Sequence, residues 1–206
     1  MKKESGERTL LASVILSSPG PIVVGIGLFL GRSSTQLADF IRRTAELAAI
    51  IVSWAIYRVT HKNPEYDENH RQRLERIAGN CVGAALCLSG IAMLLVTFLY
   101  PSKEKGNVTA GLIIAVLGVI TNSWFWIRYK MLNKTNPNRI LAVQSRLYRA
   151  KALVDACVTA ALIVVSVCPG SPAAYYMDIA GSAAVAVYLL INGADTLFGR
   201  PKESFA

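Results

Sequence analysis

The stretch Ala38–Arg58, ADFIRRTAELAAIIVSWAIYR, joins a charged half to an apolar half. Its apolar part, Leu47–Tyr57, has eleven residues, which is about 16 Å of helix and roughly half of the ~30 Å hydrocarbon core of a bilayer. If this helix crosses a membrane, its charged turns must enter the membrane as well. Those turns carry Asp39, Arg42, Arg43 and Glu46. At about 100° per residue, the four side chains project within a sector of about 100°, so they predict one charged helix face.

The composition is that of a membrane protein. The chain has 206 residues, of which 53% are hydrophobic and 17% are charged, whereas ordinary soluble domains carry about 25% charged residues. Leucine, isoleucine, valine and alanine come in blocks of about twenty residues, the length that a helix needs to cross a bilayer. The sequence therefore predicts an all-α integral membrane protein with several spans.

The apolar blocks predict a bundle of six transmembrane helices. Their predicted bounds are Leu10–Gly31, Gln36–Tyr57, Ile77–Tyr100, Val108–Tyr129, Arg139–Cys168 and Tyr175–Phe198. We expect one transmembrane domain over residues 10–198, with short tails at 1–9 and 199–206 and no soluble domain after the sixth span. Pro19 and Pro21 should kink the first helix. Gly79 and Gly83 are spaced for close helix packing, within the subunit or across a homodimer.

Basic residues fall mainly on one side of these six spans. Fourteen are on the side of the termini: Lys2, Lys3, Arg8, Arg58, Lys62, Arg71, Arg73, Arg76, Arg128, Lys130, Lys134, Arg139, Arg200 and Lys202. Three are on the other side: Arg32, Lys103 and Lys105. The positive-inside rule predicts a multi-pass protein of the cell membrane with both termini in the cytoplasm. Because this asymmetry explains most of the net charge of +9, membrane lipid is the expected partner and nucleic acid is not.

Charged residues of the second and fifth helices match in depth. Glu46 and Lys151 are each twelve residues from the cytoplasmic ends of their helices, which is about 18 Å. Arg42 and Asp155 are each sixteen residues from those ends, about 24 Å by the same rise. Lys151 and Asp155 also share a face, at i and i+4. The spacing therefore permits ion pairs of Glu46 with Lys151 and of Arg42 with Asp155.

We name these ionisable residues the central cluster, and it is formally neutral. Its members are Asp39, Arg42, Arg43, Glu46, Lys151 and Asp155, and Asn122 flanks them from the interior of the fourth helix. Ionisable groups at membrane depth are costly, and by default they mark a substrate or ion pathway. We expect the central cluster to be the functional site.

Two stretches and one residue of the chain resemble the membrane domain of the cation diffusion facilitators. They are LADFIRRTAEL on the second helix, YMDIAGSAAVAVYLLINGADTL on the sixth, and the interior Asn122 on the fourth. The resemblance covers about Leu10 to Phe198. It implies a six-helix cation transporter that forms a homodimer. In that family, paired His or Asp residues on the second and fifth helices hold a divalent metal. The resemblance puts four residues of this chain at those positions: Arg42, Glu46, Leu147 and Lys151.

These substitutions argue against a metal at the central site. Arginine and protonated lysine have no lone pair to offer, and leucine has no donor atom. We therefore expect no metal there and no cofactor. Weaker metal candidates, His61, Asp67 and His70, lie in the polar connection between the second and third spans, where a relative's auxiliary site is implied. A solvated loop of mixed charge is the alternative interpretation of that connection.

Two functions remain open from the sequence. The first is secondary transport of a cation or small charged solute, coupled to protons, with the central cluster as the substrate and coupling site. The second is a structural or regulatory relative whose second and fifth helices are locked by salt bridges. An enzyme is not expected, because the sequence has no nucleophile and base pair, no phosphate-binding loop and no metal motif.

Overall fold

The computed structural model describes residues 2–30, 34–62, 67–99, 108–167 and 172–198, and within them the fold is all-helical. The side chains of residues 2–5, 27–30, 34–39, 108–111, 165 and 172–178, which include Asp39, lie outside the described part. The helices are α1 Lys2–Ser17, α2 Pro19–Leu30, α3 Ser34–Lys62, α4 Glu68–Leu99, α5 Val108–Thr135, α6 Arg139–Val167 and α7 Pro172–Phe198. Because α1 and α2 are the two halves of one segment, they make six segments, as predicted.

The break between α1 and α2 falls at Ser18, directly before the first of the two prolines. A proline lacks the N–H that would bond to the carbonyl four residues earlier, so it interrupts the helical ladder. At the break, the Ser18 hydroxyl donates a hydrogen bond of 2.6 Å to the carbonyl of Val14. The same carbonyl accepts the backbone N–H of Ser18 at 3.0 Å, so the last turn of α1 is hydrogen-bonded up to the break.

The connection between α3 and α4 is shorter than the sequence predicted. Helix α3 continues through Lys62, and α4 begins at Glu68, nine residues before the predicted start at Ile77. His61 therefore lies in the last turn of α3 and His70 in the first turn of α4. The polar residues extend the helices beyond their apolar portions, because hydropathy sets where a span is buried and not where its helix ends.

Within the described residues, four helices are long and apolar enough to cross a membrane: Gly6–Ile26, Glu68–Leu99, Leu112–Thr135 and Ile179–Phe198. Helices α3 and α6, of 29 residues each, are longer than three of these spans but are not among them. They carry Arg42, Glu46, Lys151 and Asp155, whose charges lower the apolar character of any window that contains them. The structure nevertheless packs both into the bundle, with Ile50 of α3 and Leu147 of α6 fully buried.

Contacts between side chains fix which helix ends meet. Arg58 near the end of α3 lies 3.4 Å from Glu7 near the start of α1. Asn138, just before α6, donates a hydrogen bond of 3.0 Å to Glu75 near the start of α4. We call this end of the bundle the basic end, since it carries Arg58, Arg71, Arg73, Arg76, Arg128, Lys130, Lys134 and Arg139.

Small residues let α4 and α7 approach closely. A Cβ atom added at Gly83 would lie 3.1 Å from the carbonyl oxygen of Gly193, and one at Gly90 would lie 2.9 Å from that of Ala186. Gly79 faces α6, where the nearest atoms belong to Arg139 and Val143. The strip that begins at Gly79 and Gly83 is therefore used for packing within the subunit.

The core is concentrated in the half of the bundle nearer the basic end. Leu10, Val82, Tyr129, Leu141 and Tyr148 are all at most 1% exposed. The rings of Tyr129 and Tyr148 contact each other in a tilted arrangement with centroids 5.5 Å apart, and the Tyr129 hydroxyl donates a hydrogen bond to Ser13. This half is closed by aromatic and aliphatic packing, which leaves the other half for a cavity.

Candidate functional site

A cavity of about 590 Å³ occupies the half of the bundle away from the basic end. Helices α1 to α7 all contribute to its wall. Toward the end opposite the basic end, the wall includes Thr97 of α4, Ile114 of α5, Leu162 of α6 and Ser182 of α7. Six residues that the sequence singled out also line it: Arg42, Arg43, Glu46, Asn122, Lys151 and Asp155.

Glu46 of α3 and Lys151 of α6 form an ion pair across the cavity wall, with Lys151 Nζ 3.5 Å from Glu46 Oε2. The predicted contact between the two residues is therefore present. The other carboxylate oxygen, Oε1, accepts a hydrogen bond of 3.1 Å from the Ser89 hydroxyl of α4. Glu46 is 8% exposed, so both of its oxygens are satisfied by protein groups in a mostly dry environment.

The Lys151 ammonium has a second partner in Tyr148, one turn earlier on α6. Its nitrogen lies 5.1 Å from the centre of the Tyr148 ring, a distance at which a cation is attracted to an aromatic face. The Tyr148 hydroxyl is 3.2 Å from Ser17 of α1. Tyr148 and Phe125, in contact with each other, form the floor of the cavity above the closed half of the bundle.

Asp155, one turn beyond Lys151, is held by α5. The Asn122 amide nitrogen donates a hydrogen bond of 2.6 Å to Asp155 Oδ2. Gly118 leaves room for this carboxylate, since a Cβ atom added there would lie 2.5 Å from Asp155 Oδ2. The flanking role predicted for Asn122 thus takes the form of a direct contact with Asp155.

The two arginines reach the cavity from α3. Arg42 lines the cavity together with Asp155, and the pairing predicted for them stays a prediction. The Arg43 guanidinium lies against Gly20 of α2, 3.3 Å from the position of an added Cβ atom.

The described part of the wall does not test the predicted neutrality of the central cluster. The described side chains that line the cavity comprise three basic residues, Arg42, Arg43 and Lys151, and two acidic ones, Glu46 and Asp155. Asp39, which the prediction of neutrality included, has its side chain outside the described part. The described wall is therefore positive by one charge.

The metal candidates considered from the sequence, His61, Asp67 and His70, lie at or beside the ends of α3 and α4. The described residues contain no group of three or more His, Cys, Asp or Glu side chains placed to share a metal ion. His61 stacks on Tyr57, with ring centroids 3.9 Å apart, and its Nδ1 lies 2.9 Å from the Tyr57 carbonyl oxygen. Asp67 and His70 are exposed. Leu147, at the remaining position implied by the resemblance, is fully buried.

Sequence reasoning missed Ser89, Gly118 and Tyr148. Ser89 and Gly118 are small residues within long apolar spans, where they look like ordinary packing positions. Tyr148 is separated from Lys151 and Asp155 by three and seven residues. That spacing places all three on one helix face and is the signal that could have identified Tyr148.

Comparison with known proteins identifies the chain's family. A family model described as the cation efflux transmembrane domain matches residues 10–198. A search of curated protein sequences finds no significant match to this chain. The match extends over all six helical segments and includes every member of the central cluster. The chain therefore belongs to the cation efflux family, whose multi-pass membrane domain transports cations and is not an enzyme.

Proposed function

We propose that the central cluster is the substrate and coupling site of a secondary transporter that moves a cation or small charged solute in exchange for protons. The observation that carries the proposal is the ion pair between Glu46 and Lys151 on the wall of the cavity. A carboxylate on such a wall is a ligand for a cation. The ammonium group beside it is a competitor for the same carboxylate, so binding of the substrate would change the contact between α3 and α6.

In this proposal, fixed charges of the protein occupy the place of the divalent metal that related proteins bind. At the four positions implied by the resemblance, only Glu46 keeps a group that coordinates metal at neutral pH. A divalent ion about 4 Å from the charge of Lys151 would be repelled by roughly 8 kcal/mol at an effective dielectric constant near 20. We therefore expect a monovalent inorganic or organic cation, and not zinc, to be the substrate.

Glu46 would couple the substrate to protons. In the ion-paired state the carboxylate is charged and holds Lys151, which ties α3 to α6. A cation that binds Glu46 displaces Lys151, and a proton on Glu46 does the same by removing the negative charge. Either event frees the two helices to rearrange, and the competition makes cation and proton alternate at one carboxylate.

Proteoliposomes that contain a pH-sensitive dye test this function. We expect a gradient of a monovalent cation, drawn from sodium, potassium, guanidinium and tetramethylammonium, to move protons, and a zinc gradient to have no effect. Glu46→Gln should abolish the flux. Glu7→Gln, which removes an exposed ion pair with Arg58 at 3.4 Å, should retain it. Proton movement driven by zinc, or equal flux in Glu46→Gln and the original protein, would contradict the proposal.

A relative locked by salt bridges is the second candidate. It is supported by the same ion pair, because Lys151 already occupies the place beside Glu46 that a substrate cation would take. On this interpretation the pair fastens α3 to α6 and no transport takes place. Absence of proton movement with all of these cations, together with an unchanged melting temperature in each of them, would favour it.

We also propose that residues 10–198 form one membrane domain between cytoplasmic tails at 1–9 and 199–206, and that the protein is a homodimer in the cell membrane. The orientation is supported by the basic end, and the dimer by the resemblance to cation diffusion facilitators. Mass photometry in detergent tests the dimer, since a protomer contributes 22.3 kDa. A mass that corresponds to one protomer would reject it.

A further inference from the structure

A polar residue lies in the closed half of the bundle, between the cavity floor and the basic end. Gln144 of α6 is 0% exposed. Neither its amide nitrogen nor its amide oxygen has a hydrogen-bond partner among the described residues. An amide that is buried without a partner is unfavourable, above all at membrane depth, and it is satisfied when a water molecule or an ion binds to it.

Gln144 belongs to the same face of α6 as the charged residues of the cavity. It precedes Lys151 by seven residues and Asp155 by eleven, so at 100° per residue the three side chains project within about 40° of one another. Tyr148, four residues after Gln144, forms the cavity floor. Gln144 is therefore the next polar position on this face, about 10 Å beyond Lys151 toward the basic end.

Helix α3 has a polar residue at the same level. The contact between Glu46 and Lys151 sets the register of α3 and α6, which run in opposite directions. Ser53 follows Glu46 by seven residues, which brings it to the level of Gln144 and, by helical periodicity, to the face of α3 that carries Glu46. Ser53 is 1% exposed. Its hydroxyl donates to the Ala49 carbonyl at 2.8 Å, which leaves its oxygen able to act as a ligand.

We propose that Gln144 and Ser53 form a second cation station that takes a partly hydrated alkali-metal cation on its way between the cavity and the basic end. Both side chains offer neutral, hard oxygen atoms, which suit sodium and potassium and do not suit zinc. The buried hydrophobic cluster of the bundle, which includes Ile50, Val82 and Leu147, supplies no competing charge. Water that enters when this half of the bundle opens would complete the coordination.

This second cation station rests on the proposed function, because only a transporter needs a second site along the path of the cation. Its test measures binding of the cation and not transport. The full chain is purified in detergent, and its thermal unfolding is followed in lithium, sodium and potassium chloride. Choline chloride keeps the total ionic strength constant. We expect at least one alkali cation to raise the unfolding midpoint in a saturable manner, because a ligand that binds the folded state stabilises it.

Three variants assign the effect to its residues. Gln144→Met keeps the volume of the side chain but has no oxygen, so the shift should be lost. Gln72→Met removes an exposed amide of α4 that lies 3.4 Å from Glu68 and should leave the shift unchanged. Ser53→Ala should lower the apparent affinity by about tenfold, the scale of one lost polar contact, and serves as the test if Gln144→Met does not fold.

The outcomes separate the station from the proposed function. An equal midpoint in alkali and choline salts would overturn the station, and so would a shift that survives in Gln144→Met. A shift that depends on Gln144 and persists in Glu46→Gln supports it, since the central cluster is then not the source. Failure of transport in proteoliposomes would reject the proposed function while leaving this binding measurement intact.

Discussion

The Glu46 carboxylate has two neighbours of different kinds, the Lys151 ammonium group and the Ser89 hydroxyl. A glutamine at this position keeps an amide oxygen that can accept the hydrogen bond from Ser89. It removes the negative charge that balances Lys151. The substitution therefore tests the charge of the pair with little change in shape or hydrogen bonding.

We expect Glu46→Gln to lower the free energy of unfolding by about 2–4 kcal/mol. Removing one partner of a buried pair leaves the other charge uncompensated, at a cost of about 3–5 kcal/mol in dry interiors, and the cost here is reduced because the pair borders a cavity. The measurement is a denaturant titration of the purified protein in detergent micelles. The double variant Glu46→Gln with Lys151→Met should recover most of the loss, because no unpaired charge remains.

Glu7→Gln is the matched control for this substitution. It removes a carboxylate that pairs with Arg58 in an exposed setting, where the two side chains are 32% and 45% exposed. Exposed pairs contribute about 0–1 kcal/mol, so this variant should unfold almost as the original protein does. If Glu46→Gln is no less stable than Glu7→Gln, the central pair has no energetic role in the folded state.

Helices α4 and α7 pack closely because the residues at their contact are glycines, which have no side chain. A Cβ atom at Gly193 would lie 2.9 Å from the Gly83 carbonyl oxygen and 2.9 Å from the Cys87 backbone nitrogen. Backbone atoms cannot move aside as the end of a flexible side chain can. Any residue larger than glycine at 193 must therefore push the two helices apart.

We expect Gly193→Ala to destabilise the protein by about 1–3 kcal/mol, the usual cost of overpacking a tight contact. Gly181→Ala, on the same helix, is the control, since a Cβ atom there would have nothing within 4 Å. It should leave the thermal midpoint in detergent unchanged or raise it, because alanine favours helix more than glycine does. Equal midpoints for the two variants would mean that α4 and α7 do not touch at Gly193.

The helices themselves could be predicted from the sequence with little error, including α3 and α6, whose charged residues line the cavity. Apolar blocks separated by basic connections gave the six segments, and the depth of Glu46 and Lys151 gave their contact. The ends of α3 and α4 could not be predicted, because the polar residues between Arg58 and Ile77 are compatible with either helix or loop. Hydropathy indicates which residues are buried in lipid, but it does not indicate how far a helix continues into water.

The charged residues of the cavity wall were easier to predict than its uncharged residues and the contacts between them. Depth along a helix fixes the level of a residue but not the neighbour that faces it. Asp155 matched Arg42 in depth, but that match did not predict the hydrogen bond that Asp155 accepts from Asn122. Ser89 and Gly118 contribute through their position between helices, and no pattern within α4 or α5 distinguishes them from other small residues. Such contacts follow from tertiary packing, which a single sequence does not encode locally.

At the scale of the whole molecule, one half of the bundle is tightly packed and the other half contains the cavity. The half nearer the basic end is closed around Tyr129, Gln144 and Tyr148, each 0% exposed, and the cavity lies in the other half. If the basic end is cytoplasmic, as the positive-inside rule predicts, the cavity lies in the outer half of the bundle, and we propose that it opens to the outside of the cell. A transporter that alternates would close this half and open the other.

Cysteine accessibility tests both the orientation and the conformation. In a background in which Cys81, Cys87, Cys157 and Cys168 are replaced by alanine, we expect Ser182→Cys, on the cavity wall, to react with a membrane-impermeant maleimide added to intact cells. Ser53→Cys, which is buried in the closed half, should not react from either side.

Gln72→Cys gives the reference for the other side of the membrane. Gln72 is exposed near the basic end, so its cysteine should react only after the cells are permeabilised. Labelling of Gln72→Cys in intact cells would show that the orientation is the reverse of the predicted one, with the basic end facing outward. Labelling of Ser53→Cys at the rate of Ser182→Cys would show that the half around Gln144 is open to water. In that case the ion pair of Glu46 and Lys151 would lie in a continuous pore and not at the closed end of a cavity, and alternation between two conformations would no longer be needed to explain transport.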